Sequence, residues 1–210
     1  SKLAYHMMTE AGLENPLIVG SNDLDEDLIA DLKRQGAKIN AWGVGTHLIT
    51  SQDCPSLGGV YKLSSLHMDG HWMPRIKISS NPEKATDPGR KCLVRYYNED
   101  GQPIGDVMNV EGEAYATQGE IVGRQRLHPY LNARLKDATN PRELLQPVFV
   151  KGQRTAPSRS IHSIRQQALE EMGALPEEFK RLRNPEIYRV ILSHDLGKVK
   201  GDLMEKPDLA

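Results

Sequence analysis

The chain has 210 residues, 38% of them hydrophobic, and its 27 Lys and Arg against 28 Asp and Glu leave a net charge of −1. That length supports a sizeable core in one or two domains, and the near-neutral balance excludes a global field that would draw nucleic acid or an anionic membrane, leaving only local basic patches. Two cysteines, Cys54 and Cys92, make neither a disulfide framework nor a zinc spacing, and there is no run of about 18 apolar residues or basic-then-apolar leader, so a reducing cytoplasmic setting without a spanning helix or signal peptide is expected.

In chain order, Leu3 to Ala11 reads as a helix ending near Gly12, and Pro16 introduces the apolar run Leu17 to Gly20, a candidate buried strand. Asn22 or Asp23 is the expected N-cap of a second helix, with Glu26 completing a capping box. Leu24, Leu28, Ile29 and Leu32 share its apolar face, Lys33 and Arg34 suit its last turn, and Gly36 suits its C-cap. Ala37 to Trp42 returns as a strand. Strand, helix and strand within about thirty residues predict a parallel βαβ unit, which puts Gly43-Val44-Gly45-Thr46 at the carboxyl end of a parallel strand. Ligands of α/β proteins collect there, and the four residues can turn successive N–H groups and the Thr46 hydroxyl toward a phosphate without a lysine. A glycine-rich turn with no ligand is the alternative. Ser21-Asn22-Asp23 ends the preceding strand and therefore lies beside this loop, where Asp23 can meet ribose hydroxyls or serve only as a helix cap.

Beyond residue 60 the character changes. Tyr61 to Met68 and Trp72 to Ser79 flank the hairpin turn Asp69-Gly70, and Cys92 to Tyr97 and Pro103 to Val110 flank Glu99-Asp100-Gly101. A polar connector with two prolines, Asn81 to Arg90, joins the hairpins. His67, Asp69 and His71 surround a hairpin tip whose residues alternate faces, so they read as a solvated turn, and no metal site is expected. Ser158 caps a helix with Ile161, Ile164, Ala168 and Leu169 on one face, Leu175 to Glu178 opens a shorter one, and Tyr188 to Leu192 reads as a strand. Ser193 caps a last helix through Leu203, and His194-Asp195, lacking companion ligands, reads as part of that cap. Lys151, Arg154, Arg159, His162 and Arg165 form a basic cluster that reads as a solvated face or a phosphate or RNA contact.

Three blocks carry a family resemblance: GLENPLIVGSNDLDEDLIADLKRQGAKINAWGVGTHLITSQDCPSLGGVYKL, KISSNPEKATDPGRK and LPEEFKRLRNPEIYRVILSHDL. They resemble, in order, the carboxyl-terminal half of nicotinate phosphoribosyltransferase, a type II phosphoribosyltransferase. The resemblance implies an α/β fold: residues 1–60 as part of an irregular α/β barrel with a phosphate-binding loop, then a smaller mixed β-hairpin and helical region at 61–210. It implies transfer of phosphoribosyl from phosphoribosyl pyrophosphate to nicotinate, giving nicotinate mononucleotide and pyrophosphate, coupled to ATP hydrolysis in NAD salvage. Gly43, Val44, Gly45 and Thr46 are implied to bind the 5-phosphate, and Ser21, Asn22 and Asp23 to line the ribose side. The complete enzyme is implied to use ATP and Mg2+, to hold no tight cofactor and to form a homodimer, with no nucleic-acid or membrane partner.

The same resemblance sets an expectation of incompleteness. Family members are about twice this length and carry the phosphorylated histidine and the nicotinate clamp upstream, and SKLAYHMMTEAGL resembles the helix just after their Ser-Gly-Asp motif. None of His6, His47, His67, His71, His128, His162 and His194 matches the catalytic context. The chain is therefore expected to be a fragment with no catalytic residue of its own, inactive without an amino-terminal half. The alternatives are a nicotinamide or quinolinate phosphoribosyltransferase, and a nucleotide-binding module without catalysis.

Overall fold

The computed structural model describes residues 1–56, 59–80 and 84–205, and their contacts separate into two units, 1–60 and 61–210. Of the polar connector expected between the hairpins, Asn81, Pro82 and Glu83 lie outside the described residues.

The first unit comprises α1 (Lys2–Glu10), β1 (Val19–Ser21), α2 (Glu26–Arg34), β2 (Ala41–Gly43) and α3 (Thr46–Thr50). The expected βαβ unit forms: β1 and β2 run parallel, with Val19 opposite Ala41, Gly20 opposite Trp42 and Ser21 opposite Gly43. Asn40 registers the second strand, its Oδ1 accepting from the Ile18 N–H at 2.8 Å and its Nδ2 donating to the Pro16 carbonyl at 3.0 Å. The cap of α2 differs from expectation. Asp25 takes that place, in extended conformation and accepting from the Leu28 N–H at 2.7 Å, because Asn22 and Asp23 are occupied in a left-handed turn with φ of 88° and 36°. At the other end Gly36 is one residue past the C-cap at φ +73°. Its N–H reaches the Lys33 carbonyl and that of Ala37 the Leu32 carbonyl, a Schellman closure that favours glycine. Leu24 is buried, but Leu28 on the same expected face is exposed.

The second unit begins with a short hairpin, β3 (Ser65–Met68) and β4 (His71–Pro74), turning at Asp69 and Gly70 with φ of 51° and 80°. It is shorter at both outer ends than the pattern suggests. Next come β5 (Lys91–Tyr97), β6 (Pro103–Val110), β7 (Gly119–Gln125) and β8 (Asn132–Glu143), a small hairpin β9 (Phe149–Val150) and β10 (Gln153–Arg154), and α4 (Ile161–Ala174). A 3-10 turn at Glu177–Phe179, β11 (Val190–Leu192) and α5 (His194–Glu205) complete it. Five strands close into a barrel in the order β11, β6, β5, β8, β7, antiparallel throughout except for the parallel pair β6 and β11.

Closure depends on β8. Its residues from Asn132 to Ala138 pair with β7 and those from Thr139 to Glu143 with β5. Asp137 and Asn140, at φ of 53° and 45°, mark the irregularities that bend it between partners. Alternate residues then point inward, and Val94, Tyr96, Val107, Ile121, Leu135, Ala138 and Ile191 form the core. The Tyr96 hydroxyl donates to the Ala116 carbonyl at 2.9 Å, and burial pushes its pKa up to about 12.

Helix α4 starts two residues later than expected, with Ser160 and not Ser158 as its cap, accepting from the Ser163 N–H at 3.1 Å. None of its residues is buried, and Ile161, Ile164 and Leu169 are exposed. Its described tie to the barrel is ionic. Glu171 bridges Arg95 at 3.1 Å and Arg142 at 2.8 Å, and the Arg142 hydrogen bond holds its carboxyl below the usual range. Arg95 in turn grips Asp106 with two bonds, at 2.8 and 3.0 Å, and Tyr188 donates to the same carboxylate at 2.9 Å. The cap of α5 is as expected, Ser193 Oγ accepting from the Leu196 N–H at 3.1 Å.

Gly123 of β7 has no room for a side chain: a Cβ there would overlap the Leu192 carbonyl oxygen of β11. The obstacle is backbone, which cannot rotate away. Gly123→Ala is therefore expected to destabilise the second unit by about 3 kcal/mol, at the upper end of overpacking costs. Denaturant unfolding of the variant checks this, and a change below about 0.5 kcal/mol would mean that β11 does not close the barrel there.

Candidate functional site

The carboxyl ends of β1 and β2 lie side by side, and the register sets Ser21 against Gly43. A Cβ built on Gly43 would sit 3.4 Å from Ser21 Oγ and 3.6 Å from the Gly20 carbonyl, ordinary contact distances that show how near the two loops leave the strands. Neither Gly43 nor Gly45 has a positive φ. Glycine is thus not required in this loop by a left-handed turn. A Cβ at Gly45, where φ is −102°, would meet nothing within 4 Å.

Beyond β2 the chain enters α3 with Gly45 as its N-cap, and the Gly45 carbonyl accepts from Leu48 and Ile49 at 3.2 and 3.1 Å. The Val44 and Gly45 N–H groups donate to no carbonyl among the described residues. Thr46 is exposed. Its carbonyl accepts from the Thr50 hydroxyl at 2.7 Å, and its own hydroxyl has no partner among the described residues. Ser21, Asn22 and Asp23 are exposed as well. The first unit therefore presents, at adjoining strand ends, unshielded amides, a hydroxyl from Thr46, a hydroxyl from Ser21 and the Asp23 carboxylate. This set can hydrogen-bond an oxyanion on one side and hydroxyl groups on the other.

The other candidates separate. His67 packs against Trp72 in a tilted arrangement, ring centroids 5.0 Å apart, across the β3–β4 hairpin, and among the described residues no group of three or more His, Cys, Asp or Glu is placed to hold a metal ion. Of the basic cluster, Lys151 and Arg154 belong to the β9–β10 hairpin, Arg159 immediately precedes the cap of α4, and His162 and Arg165 lie in its first turns, all exposed. No helix of the described residues is long and apolar enough to cross a membrane, and both cysteines are free thiols.

One constellation was not legible in the sequence. Asp87, in the segment quoted above as ATDPGRK, is buried, and its carboxylate receives Lys200 Nζ on Oδ1 at 2.6 Å and Arg126 Nε on Oδ2 at 2.7 Å. Lys200 is 1% exposed and also donates to the Arg126 carbonyl at 2.8 Å. Lys91 wraps the same turn, donating to the Asp87 and Gly89 carbonyls at 2.8 and 2.6 Å, and burial lowers its pKa. Lysine within a polar helical run reads as surface, and only the tertiary fold reveals it as core.

A family model for the nicotinate phosphoribosyltransferase C-terminal domain matches residues 90–200. Nicotinate phosphoribosyltransferase of Bacillus subtilis (strain 168) is 41% identical over 201 residues, 93% of this chain and 40% of its own length. The Homo sapiens protein of that name is 35% identical over 194 residues, 91% of this chain and 35% of its own. The crystal structure of human nicotinic acid phosphoribosyltransferase superposes with a TM-score of 0.67 at 28% identity, over 96% of this chain and 36% of that one. The chain thus spans well under half the length of these relatives.

Proposed function

The chain belongs to the nicotinate phosphoribosyltransferase family, and from that premise we propose that it supplies the phosphate side of the active site and the carboxyl-terminal barrel of an enzyme making nicotinate mononucleotide. Phosphoribosyl passes from phosphoribosyl pyrophosphate to nicotinate, pyrophosphate leaves, and ATP hydrolysis is coupled to the transfer. The observation that carries this reading is the register of Ser21 against Gly43 in a chain otherwise similar to that family, which sets the two candidate loops edge to edge.

In this reading the Val44 and Gly45 amides and the Thr46 hydroxyl hold the 5-phosphate, and Ser21, Asn22 and Asp23 face the ribose. Ribosyl transfer develops positive charge at C1, and the contribution of these residues is to fix the substrate so that the reacting carbon and the incoming ring nitrogen meet in line. In this reading Mg2+ accompanies the pyrophosphate and ATP oxygens, as is usual for it. The βαβ unit is part of a larger α/β barrel in the whole protein, which works as a cytoplasmic homodimer.

Turnover also requires groups that the relatives carry in the rest of their length. Residues 1–210 alone are expected to give no nicotinate mononucleotide above background with ATP and magnesium, whereas the complete reading frame is expected to be active and to prefer nicotinate over nicotinamide and quinolinate. A chromatographic product assay on both proteins decides it. Turnover by residues 1–210, or preference for another base, would overturn the reading.

A further inference from the structure

Where the end of β7 and the start of β8 meet the segment leading into β11 lies a cavity of about 430 Å³. Its charged lining is entirely basic: Arg126, Arg134 and Arg189, with His128 beside them and no carboxylate among the residues that line it. Its apolar lip is formed by Leu127, Ile187 and Val190, all exposed. That is an unusual concentration of one sign in a chain of net charge −1.

The arginines are held so that they keep donors to spare. Arg126 spends only Nε on Asp87, and its two terminal nitrogens have no hydrogen bond among the described residues. The carboxylate behind it is shared with the buried Lys200, so this group of two cations and one anion carries a net positive charge, with the half-exposed Arg126 at the cavity wall. Arg189 makes one bond, from Nη1 to the Arg134 carbonyl at 3.2 Å, and no ion pair among the described residues. Arg134 reaches Glu120 only at 3.3 Å, both side chains being largely exposed, a pairing that water and salt weaken.

We propose that this cavity is a second binding site, distinct from the phosphate loop of the first unit, for a small organic phosphate. Three forked guanidinium groups from three separate segments of the chain match a phosphoryl group of charge near −2 better than a single carboxylate. The volume suits a mononucleotide-sized molecule, and the apolar lip gives its body a surface to rest on. Arg126 is the pre-organised anchor because Asp87 fixes its inner nitrogen, while Arg134 and Arg189 close on the ligand from the rim.

Calorimetric titration of the intact protein with phenyl phosphate, inorganic phosphate, benzoate and a polyglutamate peptide tests this. Phenyl phosphate is expected to bind most tightly, inorganic phosphate more weakly for want of the lip, and benzoate more weakly still. Arg134→Gln and Arg189→Gln, both at exposed positions, are each expected to weaken phenyl phosphate about tenfold, the effect of one charged hydrogen bond, with the melting temperature unchanged. Thr46→Val is expected to leave that binding unchanged, which separates this site from the phosphate loop whether or not the loop serves catalysis. No binding by any probe, equal binding of benzoate, tighter binding of the peptide, or insensitivity to both arginine variants would overturn the proposal.

Discussion

In the complete enzyme, Thr46→Val is expected to raise the KM for phosphoribosyl pyrophosphate about ten- to hundredfold while leaving that for nicotinate nearly unchanged. Valine keeps the shape of threonine and removes its donor, and a hydrogen bond to a charged group is worth about 1.5–3 kcal/mol. The hydroxyl has no partner among the described residues that its loss would strand, and Thr46 is exposed, so stability should hold. Gly45→Ala sharpens the test. Its new Cβ would meet no atom within 4 Å, so no neighbour obstructs the methyl group, and a rise in KM with an unchanged melting curve comes from what approaches the loop. Steady-state kinetics with melting curves read both variants. Unchanged phosphoribosyl pyrophosphate kinetics in both would make Gly43 to Thr46 a bare turn.

Why the βαβ unit was legible and the five-stranded barrel only partly so follows from where the information lies. The βαβ unit rests on local signals: an apolar run after Pro16, an amphipathic helix, and Gly36 at its close. Even there the cap was misplaced, because Asn22, Asp23 and Asp25 are all good caps and only the left-handed angles of the first two, visible in three dimensions, leave the place to Asp25. The hairpin of β5 and β6 was marked by its turn residues. Strands β7 and β8 went unread. In NARLKDATNPRE only Leu135 and Ala138 are buried, and the strand changes partner at its bends, so the alternation that announces a strand is broken where closure requires it. For α4 the expected apolar face is present in the sequence but exposed among the described residues, the helix being held by Glu171 instead.

The least legible feature leads to a large effect expected on folding. Lys200 lies at the centre of α5, 113 residues from the aspartate it meets, and both side chains are almost fully buried, at 2% and 5% exposure. Lys200→Met fills similar space but leaves Asp87 Oδ1 and the Arg126 carbonyl without their donor, while Arg126 Nε still pairs with the other carboxylate oxygen, and losing a buried hydrogen bond to a charged group costs about 2–3 kcal/mol. Against a domain stability of about 5–15 kcal/mol that is a large share, and the melting temperature of the second unit should fall by roughly 10 °C. The double variant Asp87→Asn with Lys200→Met should recover much of the loss, since a neutral amide is far cheaper to leave half-paired than a carboxylate. Denaturant unfolding of the single and double variants gives the coupling directly. If the two changes simply add, the ion pair is incidental and α5 is held by Leu196 and Leu203 alone. If they compensate, a charge pair joins the turn at Asp87 to the last helix, and it also sets the inner nitrogen of Arg126 at the wall of the basic cavity.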